Sequence, residues 1–150
     1  MGSGLFPLHR AIATDPSIKL GLGTDIGAGT SFSLLQTAGE AYKVAQLQGK
    51  TLSPFQAFFL ATLGGARALN LDHLLGNFDP GKEADLVVLN PRATPLMAFR
   101  NAEWPTTREA LSDCLFSLMI MGDDRAVEAT YIMGQRIQPG SPQGSAENLP

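Results

Sequence analysis

Asp25 is the residue of this sequence whose setting most directly suggests chemistry. It lies in the stretch GLGTDIGAGTS, residues 21–31, among four glycines and between the hydroxyl groups of Thr24 and Thr30. A glycine-rich loop that leads into a helix is typical of phosphate binding, because backbone N–H groups and the helix dipole attract anions. A carboxylate in the middle of such a loop would repel a phosphate, so another explanation is needed.

The glycine spacing also argues against a phosphate loop. It matches neither G-x-G-x-x-G with a downstream acid nor G-x-x-x-x-G-K-[ST], and the loop contains no lysine. Two interpretations stay open. In the first, the glycines only supply positive φ angles for a strand-to-helix turn. In the second, Asp25 is a catalytic carboxylate at the carboxyl end of a barrel strand, where (β/α)8 enzymes place such groups.

The other reactive side chains favour structural roles. His9 and His73 are far apart in the sequence, and neither has a partner at metal-ligand spacing. Cys114 falls on the apolar stripe of a predicted helix and is expected to be a small core residue. The run Asp123-Asp124-Arg125 predicts a solvated turn with a local ion pair, with a charged active-site cluster as the alternative.

The elements that must position these residues follow from apolar periodicity and cap signals. We predict a helix from Pro7 to Ala13, a short strand over Ile18–Leu22, helices over 33–48 and 53–69, a strand over 84–89, a loop over 92–106, a helix from Thr107 to Met121 and a hairpin-like turn around Gly134. Gly49 and Asn70 are predicted helix stops.

Two of these predicted elements require particular packing partners. Gly64 and Gly65 lie inside the predicted helix over 53–69, where each costs roughly 1 kcal/mol relative to alanine. Such glycines are tolerated where two backbones approach closely. The apolar run Leu86–Leu89 predicts a strand that is buried on both faces or packed in a sandwich.

Composition limits the class of protein. The chain has 150 residues, 44% of them hydrophobic and 17% charged, which favours a packed core over disorder. The formal net charge is −3 and the basic residues are scattered, so a nucleic-acid partner is not expected. A single cysteine excludes a disulfide framework. Without a signal-peptide pattern or an apolar run of ~20 residues, we expect a soluble, cytoplasmic protein with no membrane partner.

Several motifs, taken in order, resemble the carboxyl-terminal third of the amidohydrolase superfamily. They are GLGTD, ATLGGARALNL and GNFDPGKEADLVVLNP. Together with GAGTSFSLLQTAGEAYKVAQL and MGDDRAVEATYIMGQRI, they most resemble the guanine deaminase family within it. The resemblance covers about residues 2–138.

The resemblance implies an α/β fold: the carboxyl-terminal part of a (β/α)8 metal-dependent hydrolase barrel plus strands of a composite β-sandwich domain. Residues 1–75 would contain the last β/α portion of the barrel and the following helix, with 18–24 as the eighth strand. Residues 76–138 would contain the sandwich strands and the terminal helix. Residues 139–150 are predicted to be a disordered tail.

The resemblance also implies a reaction and its residues. Guanine deaminases bind one zinc ion and hydrolyse guanine to xanthine and ammonia. Asp25 matches the eighth-strand aspartate, which implies a catalytic and a metal-binding role. Thr24, Gly27 and Gly29 would line a substrate-proximal loop, and a homo-oligomer is expected.

The sequence departs from the family pattern in its metal ligands. The first-strand His-x-His pair, two further histidines and a separate acid/base glutamate have no counterpart here. We therefore expect the terminal portion of such an enzyme, truncated at its start, that neither binds catalytic zinc nor acts on guanine alone. The alternatives are a non-catalytic, self-associating structural module, another deaminase or chlorohydrolase of the superfamily, and a small nucleotide-binding domain, which Asp25 disfavours.

Overall fold

The structure is a computed structural model that describes residues 4–15 and 17–137. In these residues the helices are α1 (Leu8–Thr14), α2 (Leu34–Leu47), α3 (Pro54–Ala61), α4 (Leu63–Ala68), α5 (Pro95–Arg100) and α6 (Arg108–Met121). The strands are β1 (Leu86–Leu89), β2 (Val127–Ile132) and β3 (Gln135–Ile137), and a 3₁₀ turn covers Asp124–Ala126. Within this described part, none of the helices has the length and hydropathy that a membrane crossing requires.

The long helices begin at the residues that the sequence predicts. Ser33, Ser53 and Thr107 each accept a hydrogen bond from a backbone N–H in the first turn of α2, α3 and α6. Ser53 forms a full capping box, because Gln56 also bonds back to the backbone of Ser53. The predicted stops are confirmed as well, since Gly49 and Asn70 have φ angles of 66° and 58°.

Helices α2, α3 and α6 build the main core. Its buried members are apolar residues: Ala38, Ala45, Leu52, Ala57, Leu60 and Met119. A second cluster joins Met97 of α5 to Leu118 of α6 and to Ala126. Cys114 is buried in α6, which confirms its predicted core role, and burial raises the pKa of its thiol.

The strands form an antiparallel sheet in the order β1-β2-β3. A two-residue turn, Met133-Gly134, joins β2 to β3 with φ angles of 50° and 77°, as tight hairpins require. The carboxylate of Asp85 accepts a hydrogen bond from the N–H of Met133 at 2.7 Å. The Gly134 N–H bonds to the carbonyl of Ala84 at 3.1 Å, so the segment before β1 holds the hairpin turn.

The sheet differs from its prediction in burial. None of the residues in β1, β2 and β3 is fully buried, and Val87 and Val88 are 52% and 38% exposed. Burial on both faces, one of the two arrangements that the run Leu86–Leu89 predicts, is therefore absent among the described residues, and packing in a sandwich stays a prediction. The helices pack against one another, whereas this sheet leaves apolar side chains on both of its faces.

Three other predicted elements also differ. The helix predicted over 53–69 breaks at Thr62, whose φ and ψ are −128° and −102°. The loop predicted over 92–106 contains α5, which starts with the cap Thr94 and Pro95. Residues 18–22 form no strand, because the backbone beside them belongs to the α3–α4 junction and not to a second strand. The tail predicted over 139–150 lies outside the described residues.

Candidate functional site

The segment that leads to Asp25 is held by the junction between α3 and α4. The N–H of Leu22 donates to the carbonyl oxygen of Leu60 at 2.9 Å. Helix α3 ends one residue after Leu60, and the break at Thr62 leaves that carbonyl available for a partner outside the helix. The side-chain hydroxyl of Thr62 bonds back to Phe58 at 2.7 Å and closes the helix end.

Glycines make this approach possible. A Cβ added to Gly21 would lie 2.6 Å from the Cα of Gly65, closer than real Cβ atoms approach other atoms. A Cβ added to Gly64 would lie 3.0 Å from the carbonyl oxygen of Leu20. These distances confirm the predicted close backbone approach at Gly64 and Gly65. We call the packing of residues 20–22 against Leu60, Gly64 and Gly65 the glycine contact.

Asp25 follows the glycine contact in a tight turn. Its φ is 48°, a left-handed conformation that aspartate tolerates better than most residues. Its carbonyl accepts hydrogen bonds from the N–H groups of Ala28, at 3.1 Å, and Gly29. The side chain is exposed, so the carboxylate is accessible from outside the turn.

The glycines after Asp25 serve the geometry of this turn. Gly27 has a φ of 119°, which side chains rarely adopt. A Cβ on Gly29 would overlap the carbonyl oxygen of Thr24. These observations favour the turn interpretation of the loop glycines and are compatible with a functional Asp25. The substrate-proximal role of Thr24, Gly27 and Gly29 stays a prediction.

The residues that could join Asp25 in a metal site do not gather around it. In residues 4–15 and 17–137, no group of three or more His, Cys, Asp and Glu residues could hold a metal ion. His9 is half-buried in α1, and His73 is exposed after α4. A catalytic zinc takes three protein ligands, so the donors of the described residues do not fit that ion.

The charged run Asp123-Asp124-Arg125 contains a local ion pair, as predicted. The guanidinium of Arg125 contacts the carboxylate of Asp123 at 2.6 Å, and the Arg125 N–H bonds to the same carboxylate at 3.0 Å. The hydrogen bond from the Arg125 side chain holds the pKa of Asp123 below its ordinary value. The pair caps the 3₁₀ turn before β2 and has a structural role.

The packing role of Gly21 was not predicted from the sequence. Gly21 was recognised only as one of the loop glycines, and its contact with the glycine pair of the helix predicted over 53–69 was not foreseen. The available signal was a glycine in an apolar alternation and a glycine pair in a helix pattern. Each marks a close backbone approach.

The fold and the motifs place the chain in a class: it belongs to the amidohydrolase family, whose sequence model matches residues 1–137. It is 54% identical over 137 residues to the guanine deaminase of Escherichia coli (strain K12), a match that covers 91% of this chain and 30% of that protein. The chain therefore spans about 30% of the length of the curated relatives that it matches.

Solved structures agree with this similarity. The E. coli guanine deaminase structure superimposes with a TM-score of 0.83 over 91% of this chain and 31% of that one. A guanine deaminase from C. acetobutylicum with guanine bound in its active site superimposes with a TM-score of 0.71 at 27% identity, over 91% of this chain and 31% of that one.

Proposed function

We propose that this chain is the portion of a guanine deaminase that contributes the catalytic aspartate, Asp25, and that it does not hydrolyse guanine alone. The observation that carries the proposal is the 54% identity to E. coli guanine deaminase over 137 residues. The exposed Asp25 carboxylate, at the end of a segment anchored to α3 and α4, supports it.

The chemistry of the proposed role is proton transfer. Hydrolysis of guanine to xanthine and ammonia adds water to a ring carbon and expels the amino group. A carboxylate within hydrogen-bond reach can take a proton from the attacking water, and Asp25 is the candidate for that base. The described residues offer no ligand set for zinc. The proposal therefore assigns metal binding to an enzyme that contains more than these residues.

We also propose where these elements belong in the architecture of the whole enzyme. Residues 18–24 would be the last strand of a (β/α)8 barrel, and β1, β2 and β3 would belong to a composite β-sandwich. Barrel strands are covered on both faces, and sandwich sheets on their inner face. The exposed side chains of Ile18, Val87 and Val88 support this assignment, because they are apolar residues that such neighbours would cover. We also propose that the enzyme to which this portion belongs is a homo-oligomer in the cytoplasm.

The decisive experiment is a chimera. The stretch of E. coli guanine deaminase that matches this chain is replaced by residues 1–137, and xanthine formation is measured with added zinc. We expect turnover, and we expect Asp25→Ala to lower kcat by about 10²–10⁴-fold, the usual contribution of a general base. Asp113→Ala, an exposed aspartate on α6, is the control and should leave kcat unchanged.

Two results would overturn the proposal. One is a soluble, zinc-loaded chimera that does not convert guanine; the other is an Asp25→Ala chimera with full activity. The isolated 150-residue chain is assayed in parallel with guanine and zinc. Turnover by that chain, lost on Asp25→Ala, would contradict the proposed inactivity and leave the role of Asp25 in place.

A non-catalytic, self-associating module is the second candidate. It is favoured by large exposed apolar side chains, among them Phe32, Phe78 and Phe99, each more than 80% exposed. Sedimentation equilibrium separates the two candidates when it is combined with the activity of the chimera. A monomeric chain together with an active chimera would exclude the self-associating module as the function.

A further inference from the structure

We infer that the glycine contact is a positioning element for Asp25: it sets where the carboxylate stands relative to the rest of the active site. The inference rests on the proposed function, because it gives Asp25 a catalytic role. Gly21 and Gly64 are then positioning residues that do not touch substrate.

The contact restrains the backbone immediately before Asp25. It includes the 2.9 Å hydrogen bond from Leu22 to Leu60, and the closest approach is between Gly21 and Gly65. Two residues, Gly23 and Thr24, separate Leu22 from Asp25. The helical side of the contact is firm, because Leu60 and Gly64 are buried and α3 carries the capping box.

A second restraint lies immediately after Asp25. Its carbonyl accepts two backbone hydrogen bonds, from Ala28 and Gly29, which close the turn. Gly29 lies directly against Thr24, so the turn also packs on the residue that precedes Asp25. The aspartate is therefore held from both sides by backbone contacts. Its side chain is left free for chemistry.

The expected displacement can be estimated from the contact distances. A Cβ on Gly21 would lie 2.6 Å from the Cα of Gly65, whereas carbon atoms pack at about 3.5–4.0 Å. Residues 20–22 must then move away from α4 by about 1 Å. A displacement of about 1 Å at a catalytic group can cost about 10²-fold in rate.

The two sides of the contact provide a matched pair of variants. The methyl group of Gly21→Ala would lie 2.6 Å from the Cα of Gly65, on the opposing backbone. That of Gly64→Ala would lie 3.0 Å from the carbonyl oxygen of Leu20 and 2.9 Å from that of Phe59 in α3, so Gly21→Ala is the more specific of the two variants. Gly65→Ala is the control. Its Cβ would meet the Leu60 carbonyl at 3.5 Å, an ordinary contact, and alanine suits a helix better than glycine.

The test uses the guanine deaminase chimera. We expect Gly21→Ala and Gly64→Ala to lower kcat by about 10²-fold with little change in KM, and Gly65→Ala to keep the parent kcat. A loss confined to kcat indicates a defect in the transition state and not in substrate binding. Thermal unfolding of each variant is measured, so that a kcat loss is compared only among folded proteins.

A double-mutant cycle separates positioning from general destabilisation. Asp25→Glu lengthens the side chain by one methylene, which suits a displaced backbone better than the native one. We expect Asp25→Glu to cost less in the Gly21→Ala chimera than in the parent chimera. Independent effects would multiply instead. Equal kcat losses in Gly21→Ala and Gly65→Ala, or independent effects in the cycle, would overturn the inference.

Amide hydrogen exchange tests the contact without an activity assay. In the folded guanine deaminase chimera, the Leu22 N–H should be protected in the parent and in Gly65→Ala, and should exchange faster in Gly21→Ala. An unprotected Leu22 in the parent overturns the contact itself. An inactive parent chimera with a protected Leu22 overturns the proposed function, and the positioning role falls with it, while the contact stands.

Discussion

The helices of this chain bury their apolar residues to a much greater degree than the sheet does. Helices α2, α3 and α6 bury Leu52 and Met119 almost completely in a core that they form together. The three strands contain no fully buried residue, although the sequence of β1 is as apolar as that of a core strand. Strand β1 is thus apolar enough to be buried, and what it lacks among the described residues is a second packed layer.

The same substitution should therefore have different effects on stability in the two regions. A side chain in the helical core already has neighbours on every side, so its removal leaves a cavity. A valine in the sheet has water on at least one side, and its truncation removes little buried area. Changes in the free energy of unfolding should therefore be large in the helices and small in the sheet.

The largest expected effect is at Met97, which is fully buried between α5 and α6. Met97→Ala should lower the free energy of unfolding by about 2–5 kcal/mol, because it deletes buried atoms and leaves a cavity. Val87→Ala in β1 is the control, and its cost should be within about 0.5 kcal/mol, as for exposed positions. Urea denaturation measures both. Equal losses would contradict the comparison.

Asn101 should have the next largest effect. Its buried amide donates to the carbonyls of Pro91 and Met97 and to the hydroxyl of Ser117, at 2.8, 3.1 and 2.8 Å. Asn101→Ala leaves these partners without the amide and should cost about 1–3 kcal/mol in the free energy of unfolding. The same substitution at Asn77, whose side chain bonds to Asp79 near the surface, should cost much less.

The capping box at Ser53 offers a smaller effect within the helical region. Ser53→Ala removes the acceptor for the N–H of Gln56, at 3.2 Å, and should destabilise the chain by about 1 kcal/mol. Ser33→Ala removes a longer bond, 3.4 Å to Gln36, from a cap without the reciprocal contact. Thermal unfolding should show the larger loss for Ser53→Ala, and the reverse order would contradict the assignment.

The smallest effect is expected from the exposed pair of Asp123 and Arg125. Arg125 lowers the pKa of Asp123 in the folded state, so the carboxylate favours folding above its unfolded pKa of about 3.9. That contribution is lost as the pH falls through the lower, folded pKa. Arg125→Gln should raise the pKa of Asp123 toward its ordinary value. An NMR titration of the carboxyl carbon measures the shift, and an unchanged midpoint would exclude the ion pair.

Elements with local signals could be predicted from the sequence. The starts of α2, α3 and α6 depend on Ser33, Ser53 and Thr107, which act through bonds within their own first turns. Helix α5 carried the same signal, Thr94 followed by Pro95, and was missed because the prolines around it favoured a loop. A specific cap therefore determines the structure at that position more strongly than proline content does.

Features that depend on distant partners could not be predicted in the same way. The break at Thr62 accompanies the bond between Leu22 and Leu60, and no local pattern marks it. Residues 18–22 alternate like a strand, but strand formation also needs a neighbouring strand. At the candidate site, the glycines predict the turn around Asp25 and a close backbone approach at Gly64 and Gly65, whereas the partner of that approach, Gly21, was found only from the fold.

The bond between Asp85 and Met133 has a consequence for the order of folding. It joins residues 48 positions apart, whereas the hairpin of β2 and β3 is closed by two residues. Local hairpins form in about 1–10 μs, while a long loop must close before β1 can reach its partner. The hairpin is therefore expected to form first and to serve as the template on which β1 docks, with the carboxylate of Asp85 fixing its register.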